Sequence, residues 1–388
     1  MFRRKKRKRS ETKGDKEEKL KELMERVSKQ FAKPDVVLVK HALAFIRGRL
    51  AARELALIKK AYSFSKKKHG KQKRFSGEPY FTHLIETALI LSEYDVDAKT
   101  LAAALLHDVL EDTSVQKYEL EREFGSEVAE LVNALTKVES QSTNSHAYLK
   151  KLLCYASKDE RVLLVKLADK LHNLRTIEFL PAKKRKAICK QALAFYAPLA
   201  EQFGLKKMMM EIQDICFAQL WPRQYKKLKK ELEKLYREKD DEITEAIDIL
   251  KRKLVKKPFG GFVFKKERKN LYHYFKKLKQ GKTLEELYDY VSLVIVAGSE
   301  DACYEALKAV HNTFYPAPRK FKDYIAVPSG HYKALHTSVI GPRGRPMKVY
   351  IRTRETDELE EKGIAYWLKA KKKPRELIKL EALAKTDE

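Results

Sequence analysis

A chain of 388 residues has room for two domains, each able to bury its own core. Apolar residues make up 44% and charged residues 35%, and a formal net charge of +29 attracts polyanions such as RNA, anionic lipid or phosphate-rich small molecules. No apolar run approaches the ~20 residues that cross a bilayer, no apolar core follows the basic start as in a secretory signal, and Cys154, Cys189, Cys216 and Cys303 lack CxxC spacing, which argues against a membrane span, export and a zinc knuckle. Scattered cysteines read as reduced thiols of a cytoplasmic protein.

Residues 1–35 are charged and apolar-poor, and seven of the first nine are Arg or Lys. They read as a disordered tail, either simply solvated or an arm that contacts RNA or the ribosome. Residues 36–200 are helical in pattern. Apolar residues recur three and four apart in HLIETALILSEY, FGSEVAELVNALTKV and RVLLVKLADKLHNLRTI, which predicts an all-α domain. Residues 201–250 end in a highly charged helical stretch and are expected to connect the halves. The pattern then changes. Pro258, Phe259, Gly260 and Gly261 signal a turn, YVSLVIVAG suits a buried strand, and SVIGPRGRPMKVYIRT reads as two strands around a Gly/Pro turn. With DACYEALKAVHNTF as a helix between them, residues 251–375 form an α/β or α+β domain, and 376–388 a tail.

The chemistry concentrates in the helical half. His83, the pair His107-Asp108 and Asp169 offer two imidazoles and two carboxylates, a donor set for one transition-metal ion. Such an ion makes a nucleophile of water near neutral pH. Glu111 and Asp112 follow four residues after His107 and Asp108, on the same face if the helix is continuous, and supply an acid/base pair. Lys73 and Arg74, before the Ser76-Gly77 turn, are cations able to meet phosphate, and Arg also stacks on a base. Asn173 shares a helix face with Asp169, with Thr176 beyond it, while His172 is expected either to support the ligands from behind or to be structural. No GKS/T loop is present, which excludes a P-loop enzyme.

KRFSGEPYFTH, LLHDVLEDT and KLADKLHNLRT resemble the HD phosphohydrolases and, more narrowly, the hydrolase domain of the RelA/SpoT homologues. The likeness continues through FKDYIA, HYKALHTSVIGPRG and VYIRT, which resemble the synthetase domain of that family. It implies an all-α HD domain followed by a mixed-sheet, nucleotidyltransferase-like synthetase domain. It further implies a manganese ion on His83, His107, Asp108 and Asp169, with Glu111 and Asp112 acting on the attacking water. Lys73, Arg74, Asn173 and Thr176 would bind the guanine nucleotide alarmones ppGpp and pppGpp, whose 3′ pyrophosphate would be released.

The second domain departs from the family pattern at charged positions. Glu267 and His273 stand where the resemblance places an Arg and a Ser that hold ATP. Val294 stands at an Arg position, and Lys348 replaces the catalytic Glu, although Asp289 and Tyr332 are kept. Glu267 repels a triphosphate, and Lys348 cannot hold magnesium or act as a carboxylate base. The expectation is a synthetase fold without synthesis. Two rivals stay open. One is an HD hydrolase of another 3′-phosphorylated nucleotide or of NADPH. The other is an RNA- or ribosome-binding protein with vestigial sites. Oligomeric state is not legible.

Overall fold

The computed structural model describes residues 51–139, 145–254, 261–287, 289–317, 320–328 and 331–369. The basic N-terminal tail and the C-terminal tail lie outside them.

The first half is helical. Its elements are α1 (Ala52–His69), α2 (Phe81–Ser92), α3 (Ala98–Leu106), the one-turn α4 (Val109–Asp112), α5 (Lys117–Phe124), α6 (Ser126–Glu139), α7 (Ser145–Lys158), α8 (Arg161–Arg175), α9 (Ala182–Gln191), α10 (Ala197–Gln202) and α11 (Lys206–Leu220). The central helix is α3, AKTLAAALL, in which every residue but Lys99 is buried. Asp97 caps it by accepting from the Thr100 amide at 2.7 Å. Its alanines let α1, α2 and α8 approach closely, so α2 and α8, the two helices bearing His83 and Asp169, both border the His107 end of α3. The interior is leucine, isoleucine, valine and alanine from all of these helices.

The second half is built on α12 (Pro222–Leu254), β1 (Val263–Arg268), α13 (Leu271–Lys279), β2 (Val291–Ala297), α14 (Glu300–His311), β3 (Lys322–Asp323), β4 (Ala334–Ile340), β5 (Pro346–Thr353), α15 (Arg354–Lys362) and α16 (Ile364–Lys369). The five strands run in the order β1-β2-β5-β4-β3. Only β2 and β5 are parallel, so the sheet is mixed, as the strand and helix patterns predict. β2, apolar but for Ser292, is buried at every residue. Leu293 and Ile295 face a core shared with α12 and α14, whereas Val294 and Val296 face the other side with Tyr350.

The expected connector packs as part of both halves. Residues 201–250 divide between the two cores. On α11, Met208, Ile212 and Cys216 belong to the first core and Phe217 to the second. On α12, Leu228, Leu232, Ile243, Ala246 and Leu250 form a buried stripe in the second core. The second domain also returns to the first. Ile364 and Ala365 of α16 are buried in the helical core, and the Ile364 amide donates to Phe203 O at 2.8 Å. Gly363, at φ +55°, makes this approach feasible, because a Cβ there would lie 2.3 Å from Phe203 O.

Candidate metal centre

His83 projects from the second position past the start of α2 and is buried. Its Nε2 lies 3.2 Å from Asp169 Oδ1 on α8 and 3.8 Å from Asp108 Oδ2. The helix that would have carried His107 and Asp108 through to Glu111 is broken. α3 ends at Leu106 and α4 begins at Val109, so the His-Asp pair occupies the turn between them. The break turns both side chains inward. His107 donates from Nδ1 to Ala104 O at 2.8 Å, which fixes the ring's orientation and turns Nε2 toward the carboxylates. That Nε2 is 3.2 Å from Asp108 Oδ2 and 3.8 Å from Asp169 Oδ1, yet it is buried without an aligned hydrogen-bond partner. Ligand atoms of His83, His107 and Asp169 all lie within 4.8 Å of one another.

An orphaned, fully buried imidazole nitrogen among two carboxylates and a second imidazole is costly unless a cation is shared between them. The donor set of His83, His107 and Asp169 therefore fits a divalent ion, and Asp108 Oδ2 lies beside both imidazoles. Electrostatics point the same way. Burial lowers the affinity of His83 for a proton, more than Asp169 raises it. Burial also acts to lower His107, but Asp108 and Asp169 outweigh it and hold it at about 9. Burial would raise the Asp108 carboxyl, but His107 holds it below the usual carboxylate range. Asp169 is likewise held low against burial, by Lys170 and Lys166.

Around these groups lies a ring of supporting contacts. Tyr80 donates to Asp108 Oδ2 at 2.8 Å, and its ring stacks on His69 at 4.9 Å. His83 Nδ1 is 2.7 Å from His172 Nδ1, and burial presses His172 down to about 2, so it stays neutral. Asn173 Nδ2 donates to Asp169 Oδ1 at 2.6 Å, and Arg74 Nη2 donates to Asn173 Oδ1 at 2.5 Å. A continuous chain therefore runs from Arg74 through Asn173 to Asp169.

Glu111 and Asp112 are exposed on α4 at the rim, not on one continuous helix with His107, because the turn interrupts it. Asp112 nonetheless reaches the Tyr80 hydroxyl, which lies between it and Asp108. Lys73 is exposed on the hairpin, and Thr176 turns its hydroxyl back to His172 O at 3.3 Å. Tyr80 was not legible as a site feature, and His172 was legible as a support but not its partner His83. Each stands three residues from a metal-ligand candidate, which is the only sequence signal for them.

The open face of the sheet carries the second group of residues. A cleft of about 280 Å³ is lined by Lys206, Glu267, Lys269, Tyr332, His336, Tyr350, Arg352 and Glu360. Arg352 is buried there among acids, 3.4 Å from Glu267, 3.7 Å from Glu360 and 2.9 Å from Asp357. Tyr332 and His336 share a 2.7 Å hydrogen bond. Lys348 pairs with Asp289 at 3.1 Å, and Val294 lies in register with Tyr350. His273 is half-buried on α13, its proton affinity lowered by burial and by Lys269.

A family model described as the HD domain matches residues 61–206, and one described as the region found in RelA / SpoT proteins matches residues 266–375. The chain belongs to the RelA/SpoT family. A GTP pyrophosphokinase of Myxococcus xanthus is 38% identical over 81% of this chain and 43% of its own length. A guanosine-3′,5′-bis(diphosphate) 3′-pyrophosphohydrolase of Spiroplasma citri is also 38% identical, over 80% of this chain and 42% of its own. The RelA/SpoT chain described here thus spans under half the length of either relative. A solved structure of a metazoan ortholog of SpoT that hydrolyzes ppGpp is 28% identical over 42% of this chain and 95% of that one, with a TM-score of 0.34. No helix among the described residues is long and apolar enough to cross a membrane.

Proposed function

We propose that the HD domain is a manganese-dependent, cytoplasmic guanosine-3′,5′-bis(diphosphate) 3′-pyrophosphohydrolase. The observation that carries this reading is the orphaned His107 Nε2, buried beside His83, Asp108 and Asp169. A divalent ion bound by these four side chains would acidify a coordinated water and polarise a phosphoryl oxygen. The residues of the chain do the rest. Asp112, bonded through Tyr80 toward Asp108, and Glu111 beside it accept the proton of the attacking water at the rim. Arg74, tethered to Asn173, faces the phosphates, with Lys73 and Thr176 at the margin. Water oxygen bonds to the phosphorus on the ribose 3′ oxygen, that P–O bond breaks, the 3′ oxygen takes up a proton, and pyrophosphate leaves.

Purified protein with manganese is expected to release pyrophosphate from ppGpp. Asp108→Asn should lower that rate by roughly a thousandfold or more and reduce bound metal, as loss of a principal catalytic group does. A metal-loaded wild type that leaves ppGpp intact would refute the substrate assignment. Cleavage of NADPH or another 3′-phosphorylated nucleotide in its place would move the activity to that substrate.

We further propose that the second domain does not make alarmone. Lys348, paired with Asp289, stands where a carboxylate would hold magnesium, and Glu267 adds negative charge beside Arg352 in the cleft. The contrary reading draws on the pyrophosphokinase relative.

A further inference from the structure

We infer that Phe75, with Lys184 beside it, is a stacking platform for the purine base of the nucleotide, a role that rests on the hydrolase reading above. The loop between Lys73 and Pro79 is a tight hairpin. Arg74 N donates to Glu78 O and Gly77 N to Arg74 O, both at 2.9 Å, with Gly77 at φ +85°. Two adjacent side chains part company there. Arg74 turns in to Asn173 and His172, whereas Phe75 turns out and is 80% exposed. A phenyl ring this open contributes nothing to a core. It stands one residue from Arg74, the outer end of the Arg74–Asn173–Asp169 chain that leads to the metal centre.

The ring is not alone. Lys184 Nζ, from the first turn of α9, lies 5.9 Å from its centre, and Lys183 and Lys186 on the same helix are also exposed. The pair spans from the hairpin to α9, which follows α8 through the short turn Ile177–Phe179. An aromatic face takes a base by stacking. The ammonium group lies over one face of the ring, which leaves the opposite face for the base and draws electron density from the ring, favouring an electron-rich purine. The platform therefore favours purines through area and charge, and it does not read the donor and acceptor pattern that separates guanine from adenine. That selection falls to other groups.

Three substrates separate these contributions: ppGpp, its adenosine counterpart and base-free ribose 3′,5′-bis(diphosphate), each with manganese. Phe75→Ala should raise KM for both purine compounds by a common factor of about 10, the scale of one lost stacking contact. It should leave KM for the base-free compound unchanged. Phe75→Trp should restore tight binding, and Lys184→Ala should raise KM for both purines by a smaller common factor. Because Phe75 is exposed, the thermal midpoint of the variants should stay with the wild type. Unaltered purine KM values in Phe75→Ala, or an equal rise on the base-free compound, would overturn the platform. If the wild type cleaves none of the three, the hydrolase reading fails, and equilibrium binding to metal-free protein then decides the platform. Phe75→Ala must weaken ppGpp binding about tenfold and leave the base-free compound alone, and equal binding by both proteins overturns it.

Discussion

His107 and Asp108 show how much a single turn determines. Had α3 run on, their side chains would lie a quarter-turn apart on one helix. The break between Leu106 and Val109 instead gathers them with His83 and Asp169, so that two carboxylates surround one proton on His107. With His107 held at about 9 in the absence of an ion, that proton is bound at pH 7, and a metal must displace it. Manganese binding at pH 7 should release about one proton per site, and calorimetry in two buffers of different ionisation enthalpy would read it. Equal enthalpies in the two buffers would contradict this. The same group is linked to stability. Its folded-state value exceeds the ordinary imidazole value of about 6.5, so it stabilises the metal-free fold below that pH. This contribution is lost as pH rises through about 9, and it should vanish from the pH profile of His107→Gln.

At the scale of elements, the first domain was legible because its ligand candidates sit in helices with strong apolar periodicity. His83 and Asp169 could be placed on α2 and α8 from spacing alone. The supporting contacts of Tyr80 and His172 could not, because they form between helices far apart in sequence. The stripe on α12 was missed for another reason. Its exposed lysines and glutamates mask Leu228, Leu232, Ile243 and Leu250, which recur with helical spacing. The open face of the sheet was readable only as substitutions. The structure adds that Arg352 is buried among Glu267, Asp357 and Glu360, so its charge is already matched before any triphosphate arrives. ATP and GDP should therefore yield no detectable ppGpp by chromatography. Lys348→Glu alone should not restore synthesis, since Glu267 and Val294 remain. Alarmone formed by either protein would contradict the inactive reading.

Over the whole molecule, the two cores are tied together at α11 and again at the Gly363 turn. Lys206 of α11 pairs with Glu360, and Lys362 reaches Asp95 at 2.5 Å. The turn is the tighter of these constraints, because Gly204 and Gly363 meet backbone to backbone at positive φ. Gly363→Ala should cost about 1–3 kcal/mol in backbone strain alone, before any steric clash. A melt should show a midpoint lowered by several degrees, and an unchanged midpoint would refute the close packing. The central claim remains the grip of two imidazoles and two aspartates on one ion. Anomalous diffraction at the manganese edge, from crystals of the manganese-loaded protein, tests it most directly. The expected result is a single strong peak within coordination distance of His83 Nε2 and His107 Nε2 and adjacent to Asp108 and Asp169. A peak elsewhere, or none at full occupancy of manganese in solution, would contradict the account.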